Sequence, residues 1–432
     1  MSPDVSRSSP GAFALVPALM ALLLTGCGPE DTAASTAQAG PIKFEAACDV
    51  AGLARPARQT AIVIDEQSIV RSQPADFRAK NPGVIDAVVA VADPDRAVEL
   101  GALAPRERVS LLLTPSDGSA PRLIFTGCAP AITAEELANV TRGTSTAERY
   151  SDTFFASGTA DELKAQAEEF RARLLGAIQR VAQAAPERPG RTAESFETTP
   201  TVRSLKSAPR ILDPLLGAPR LVLIAPAALR AAPGGGTAEA ARTAGFQAAK
   251  RVGLDLGMAD VAVALVVPTA SRDYVDGFLL GSRARLAGWS SGAPSDLTPP
   301  PAQVRNFAGT IQYGPVQFPV RVRLGVDREG RLSNSWIVVM NEQEAATPLS
   351  GSAVCDRNGD CRVTGDGRGF SQLWSARPGG EPEFGAEMPF SGLRYFELQI
   401  GRGRASGRVY DPLVDQVGNQ RDLPFRMTEV TS

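Results

Sequence analysis

The chain contains no histidine in its 432 residues. That absence removes the commonest general base, the commonest metal ligand and the one side chain that titrates near neutrality. Ser-His-Asp hydrolases and zinc enzymes are therefore not expected. Net charge is missing too, since 45 basic residues face 47 acidic ones. Without a basic excess there is no electrostatic case for nucleic acid or for a polybasic membrane patch. Lysine is scarce beside arginine. No apolar run is long enough to cross a bilayer. The best stretch, Ala12 to Leu24 (AFALVPALMALLL), is interrupted by Pro17 and falls short of the roughly 20 apolar residues that a permanent span needs.

What is present begins with that same stretch, which has the length of a signal-peptide core and follows a single basic residue, Arg7. It runs into Leu24-Thr25-Gly26-Cys27, which resembles the bacterial lipobox. The resemblance implies removal of residues 1–26 and acylation of Cys27, and hence a partner in the membrane itself. Residues 27–46 are expected to be a flexible tether, because Gly28 to Gly40 (GPEDTAASTAQAG) is small and polar with nothing to bury. Gly28 stands where inner-membrane lipoproteins of enterobacteria carry Asp. By that likeness the expected localisation is the cell envelope, with the outer membrane favoured in a Gram-negative cell.

With Cys27 acylated, Cys48, Cys128, Cys355 and Cys361 remain. An even number in an oxidising compartment predicts disulfides. Cys355 and Cys361 flank Asp356-Arg357-Asn358-Gly359-Asp360. A hairpin over Arg357–Gly359, with Gly359 left-handed, sets the two sulfurs face to face and leaves Cys48 for Cys128. Free or intermolecular thiols are the alternative.

A Pro-rich stretch over 291–302 (SGAPSDLTPPPA) reads as a semi-rigid linker between two domains. The first, 47–290, alternates apolar strand-like runs with helices. Ala61 to Ile64 stops at Asp65; Val84 to Val98 carries enough apolar residues for a helix, which Pro94 should break or restart. Arg108 to Leu113 and Arg122 to Phe125 read as a hairpin around Asp117-Gly118. Asp161 to Ala184 and Ala238 to Leu256 read as helices, and Arg220 to Ile224 and Val261 to Val267 as strands. Continuous apolar strands between helices predict an α/β fold with a doubly wound, mostly parallel sheet. The second domain, 303–432, has short strands separated by Gly-rich turns. It is expected to be a smaller antiparallel sheet, sandwich or partial barrel. Phe370, Trp374, Phe384, Phe390, Tyr395 and Phe396 are candidates for a binding face there, with core packing as the ordinary fate of such residues.

The order strand-Asp, helix, hairpin, helices and two further strand–helix units resembles a von Willebrand factor A domain over about half the chain. A flavodoxin-like or other doubly wound domain is the competing architecture. The resemblance implies a divalent-cation site for Mg²⁺, built from a D-x-S-x-S loop, a Thr and often an Asp. Here the loop reads Asp65-Glu66-Gln67-Ser68-Ile69, with Gln and Ile at the serine positions. The candidate ligands are Asp65, Ser68 and Thr199 of the segment Glu197–Thr201. The alternative is that Asp65 caps the following turn and no cofactor is bound.

Three shorter motifs lack their required context. Gly288-Trp289-Ser290-Ser291-Gly292 matches a nucleophile elbow but precedes a linker in a chain without His. Asp356-x-Asn358-x-Asp360 opens like a calcium loop, yet Cys361 and Gly367 stand where Gly and Glu are needed. Pro233 to Gly236 precedes a helix without a phosphate-binding Lys. The expected function is a membrane-anchored, non-catalytic module that binds or scaffolds an envelope protein. The alternative is an envelope enzyme working through carboxylates alone, such as a glycan hydrolase.

Overall fold

The eight residues Arg58–Asp65 form a strand, β2, that is buried at every position. A strand with no exposed face has to lie inside a sheet covered on both sides, and that is its place here. The computed structural model describes residues 40–45, 48, 57–94, 103–104, 106–130, 146–185, 196–207, 212, 217–224, 237–266, 271–294, 297–313, 316–339, 345–366, 395–410 and 423–430. Side chains of the long helix are described from residue 164 onward. Cys27, the tether up to Ala39, the aromatics Phe370 to Phe390 and the loop Pro233–Gly236 lie outside these residues, whereas Ile42–Phe44, expected to belong to the tether, form a strand.

In chain order the first part comprises β1 Ile42–Phe44, β2, α1 Phe77–Lys80, α2 Pro82–Ala92, β3 Arg108–Thr114, β4 Arg122–Cys128, α3 Thr146–Ala184 and α4 Pro200–Ser207. β5 Ala218–Ile224, α5 Ala238–Val252, β6 Ala259–Ala264, α6 Arg272–Gly281 and β7 Ala284–Trp289 follow. The sheet order is β1-β4-β3-β2-β5-β6-β7. β3, β2, β5, β6 and β7 run parallel, β4 is antiparallel to β3, and β1 is parallel to β4 at the edge. Helices cover both faces. One core gathers α2 and α3 residues such as Val88, Phe170 and Ile178 against Ile62 and Leu111. The other packs Val202, Ala248 and Phe278 against Val63 and Leu223.

Several boundaries shift for local reasons. The helix expected to run to Leu256 stops at Val252, where Gly253 takes φ 67° and its N–H closes on Ala249. The helix read over Val84 to Val98, which Pro94 is expected to break or restart, ends at Ala92, just ahead of that proline. The helix expected from Asp161 begins at Thr146. Edge strands β1 and β7 add to those the apolar runs predict. β1 holds its place because Phe44 packs edge-on against Phe170 at 5.5 Å, with Phe125 on the same ring at 5.3 Å. The Cys48–Cys128 disulfide ties the chain just beyond β1 to the end of β4.

The remaining strands are β8 Gln303–Tyr313, β9 Val316–Val326, β10 Ser335–Val339, β11 Ala345–Cys355, β12 Cys361–Asp366, β13 Tyr395–Gly401, β14 Arg404–Tyr410 and β15 Leu423–Glu429. Each pairs antiparallel with the next, and β15 returns to β8. The antiparallel part is therefore a closed eight-stranded barrel, which removes the free edges that a small open sheet would carry. Alternate residues fill it, among them Phe307, Val322, Ile337, Leu398, Val409 and Phe425. At the Cys355–Cys361 disulfide the two cysteines are register partners and Gly359 has φ 80°, as the hairpin reading predicts.

The barrel sits against the N-terminal ends of the parallel strands. Asn334 Nδ2 donates to Pro219 O at 3.1 Å, and Arg323 Nη2 to Met258 O at 3.2 Å. Trp336 lies on the outward side of β10, opposite Arg323 and Pro348, and is fully buried. The Pro-rich stretch is pinned between the two parts: Arg58 Nη1 donates to Thr298 O at 2.7 Å and Ser333 Oγ to Pro299 O at 2.6 Å.

Candidate functional site

Loops at the carboxyl ends of parallel strands are the usual binding end of an open α/β sheet. Here that end is organised around Asp65, the last residue of β2, which is 1 % exposed. Its Oδ1 accepts Gln67 N–H at 2.9 Å, and Ser68 Oγ donates to the Asp65 carbonyl at 2.6 Å. Asp65 is thus the N-cap of the single 3-10 turn Glu66–Ser68. Ile69, at the second serine position of the metal-loop pattern, is fully buried in the core.

Of the three candidate ligands, the structure brings Ser68 to the Asp65 backbone, not to its carboxylate. Thr199 is turned away: its Oγ1 donates to Phe196 O at 2.8 Å and accepts Val202 N–H at 3.3 Å, capping α4. The hydroxyl that does approach is that of Thr201, 3.4 Å from Asp65 Oδ2. A Thr in the segment was legible from sequence; which one faces Asp65 depends on where α4 begins. No group of three or more Asp, Glu or Cys side chains suited to a metal occurs among the described residues. Asp356 likewise spends Oδ1 on Asn358 N–H at 2.8 Å and Asp360 N–H at 3.0 Å, inside the disulfide-closed turn.

Neighbouring loops are held to this end by polar contacts. Glu66 bridges Arg122 at 3.0 Å and Ser116 N–H at 3.1 Å, fixing the β3–β4 hairpin. Ser204 Oγ donates to Ser119 O at 2.5 Å from α4. On the far side, Tyr274 donates its hydroxyl to Glu197 at 2.6 Å. Burial, reinforced by that carboxylate, pushes the Tyr274 phenol well above its usual value. The result is a polar, fixed rim with Ser116, Asp117 and Ser119 exposed at the hairpin tip.

The opposite end of the sheet holds a cluster that sequence reasoning missed. Glu107 is fully buried between Arg58 and Arg220, at 3.0 and 3.2 Å, and also accepts the Thr60 hydroxyl and Ala104 N–H. Burial raises the Glu107 carboxyl, but the two guanidinium groups outweigh it and hold the pKa below the usual range. Burial and the adjacent Arg58 bring Arg220 down to about 9. The only signal in the sequence is that Arg58 and Arg220 open or nearly open apolar strands, where an interior charge needs a partner. Ser290 of the elbow-like motif donates to Ala293 O at 3.0 Å, in a bend rather than ahead of a helix.

No family model matches the chain, and no curated protein matches it.

Proposed function

We propose that the chain is an envelope lipoprotein, acylated on Cys27, whose α/β part is a von Willebrand factor A-like module. In this reading the module binds a protein partner through the loop end around Asp65, without catalysis. The observation that carries it is the polar, solvent-facing rim just described. Among the described residues, the turn after β2, the β3–β4 hairpin and α4 are tied to one another by side chains, and the buried Asp65 carboxylate caps the turn. The strand order, with β4 as the one antiparallel member of the β4-β3-β2-β5-β6-β7 set, supports the A-domain resemblance.

The residues present do not fit the cation that the resemblance implies. Asp65 Oδ1 caps the turn, Ser68 points to a carbonyl, and Ile69 puts hydrocarbon where a ligand hydroxyl would stand. A hard cation needs six or more oxygen ligands. Recognition is accordingly assigned to the hairpin tip and the rim, with no metal bridge.

Two measurements test the reading. Metabolic labelling with an alkynyl fatty acid should mark the wild-type chain and leave Cys27→Ala unlabelled; labelling of neither withdraws the anchor. A photo-crosslinking residue at Asp117 should give one discrete protein adduct in the envelope, while the same residue at Arg180 on α3 gives none. Equal adducts at both positions would remove the loop end as the binding face.

A further inference from the structure

The barrel wall that packs on the sheet is formed by β9, β10 and β11, so β12 to β15 face the other way. Residues alternate in and out along these strands, and those pointing outward form rows across them. One row reads Arg362, Gln399, Ser406, Arg426 and Thr310 across β12, β13, β14, β15 and β8, each the register partner of the next. With strands about 4.8 Å apart, Arg362 and Arg426 stand roughly 14 Å from one another. The next row pairs Glu397 with Arg408, and the one beyond pairs Tyr395 with Tyr410.

This surface has a definite chemistry. Tyr395 is 40 % exposed, and its ring lies 6.0 Å from that of Tyr410 at a tilt of 32°. Arg408 stacks over Tyr410 at 4.6 Å from the ring centre. Arg362 is tied to Glu397 at 2.8 Å, whereas Arg404 and Arg426 are exposed on either side of the Ser406 position. The row runs into an open groove of about 510 Å³ against the Cys355–Cys361 hairpin, with Arg362, Gln399, Arg404 and Ser406 on one wall and Asp356 and Asp360 of the hairpin turn on the other; the Asp356 carboxylate is turned inward onto Asn358 and Asp360 N–H.

From this we infer that the outer face of β12–β15 is a docking surface for a glycan strand that carries carboxylates, of the peptidoglycan class. Aromatic rings with a polar tip stack on sugar faces. Amide and hydroxyl side chains match hydroxyl and acetamido groups in hydrogen bonding, and guanidinium groups take carboxylates in a two-pronged geometry. The face is a gently curved sheet surface, suited to an extended polymer.

The surface is distinct from the loop end, but the choice of a wall glycan rests on the envelope reading. The test is co-sedimentation of the full chain, purified in detergent, with isolated insoluble peptidoglycan. The wild type should pellet, and the fraction bound should fall several-fold when salt is raised from about 0.05 to 0.3 M, where surface charges are screened. Arg404→Ala/Arg426→Ala and Tyr395→Ala/Tyr410→Ala should each weaken binding at least tenfold. Peptidoglycan whose carboxylates have been amidated should lose the wild-type chain as well, a comparison that needs no variant to fold. No pelleting, or equal pelleting of amidated and native wall, would overturn the proposal. Cys27 labelling is scored separately, so failure of the anchor leaves the sedimentation result intact.

Discussion

Glu107 takes the guanidinium of Arg58 in a fork, Nε at 3.1 Å and Nη2 at 3.0 Å, with both side chains sealed from solvent. Arg58 also reaches the linker through Thr298 O, so one ion pair joins the sheet to the segment leading into the barrel. Removing one partner of a buried pair leaves the other charge uncompensated, which costs about 3–5 kcal/mol. Glu107→Gln is expected to lose stability in that range in urea unfolding. A loss under 1 kcal/mol would mean that water relaxes the site.

The same carboxylate makes an acid-side prediction. Its folded-state pKa lies below the ordinary 4.5. The stabilisation is therefore complete above about that pH and is lost as pH falls through the folded value. Thermal midpoints measured from pH 6 to pH 3 should drop more steeply for the wild type than for Glu107→Gln. Parallel curves would show that other carboxylates dominate acid unfolding.

The two disulfides close loops of very different length, with sequence separations of 80 and 6. Loop-closure entropy gives about 4.5 kcal/mol for the long one and about 2 kcal/mol for the short. Cys48→Ser/Cys128→Ser should therefore lower the unfolding free energy about twice as far as Cys355→Ser/Cys361→Ser. A larger loss from the short loop would place the contribution in the native hairpin instead.

Helices α5 and α6 make their closest approach at glycines. A Cβ on Gly277 would stand 1.8 Å from Arg242 O, and one on Gly245 1.9 Å from Tyr274 O. Neither neighbour is a flexible tip, so the helices have to separate. Gly277→Ala should cost about 1–3 kcal/mol or more, while Gly176→Ala on α3, with open space around it, should be neutral or slightly stabilising. Equal effects in a thermal melt would contradict this packing.

Legibility follows from range. Asp65 at a strand end, the Asp-Gly hairpin and the short disulfide were readable because each is set by neighbours in sequence. The choice of Thr201 over Thr199 was not, since it turns on a one-residue decision about where α4 starts. Barrel closure was hidden because β15 meets β8 across more than a hundred residues, as in the pairing of Phe425 with Ile311. An open sheet would show the same alternation. The buried Arg58–Glu107–Arg220 cluster was hidden for a related reason. Each member reads locally as an ordinary charged residue beside a strand, and only strand order makes them neighbours.

Trp336 supplies the last prediction. Its side chain is wholly buried where β10 meets the sheet, yet its indole Nε1 has no hydrogen-bond partner. A buried donor without an acceptor costs about 1–3 kcal/mol, so the residue is held there by its bulk, with its polar atom a liability. Trp336→Phe removes that donor and keeps most of the ring, and the relief should offset much of the lost volume. Trp336→Ala opens a cavity at the junction, at about 3–5 kcal/mol. Urea unfolding followed by circular dichroism should place the Phe variant within about 1 kcal/mol of the wild type and the Ala variant well below both. If Phe is as damaging as Ala, the indole N–H is bonded in solution, and an ordered water bridging to the Arg323 side of the junction becomes the explanation to pursue.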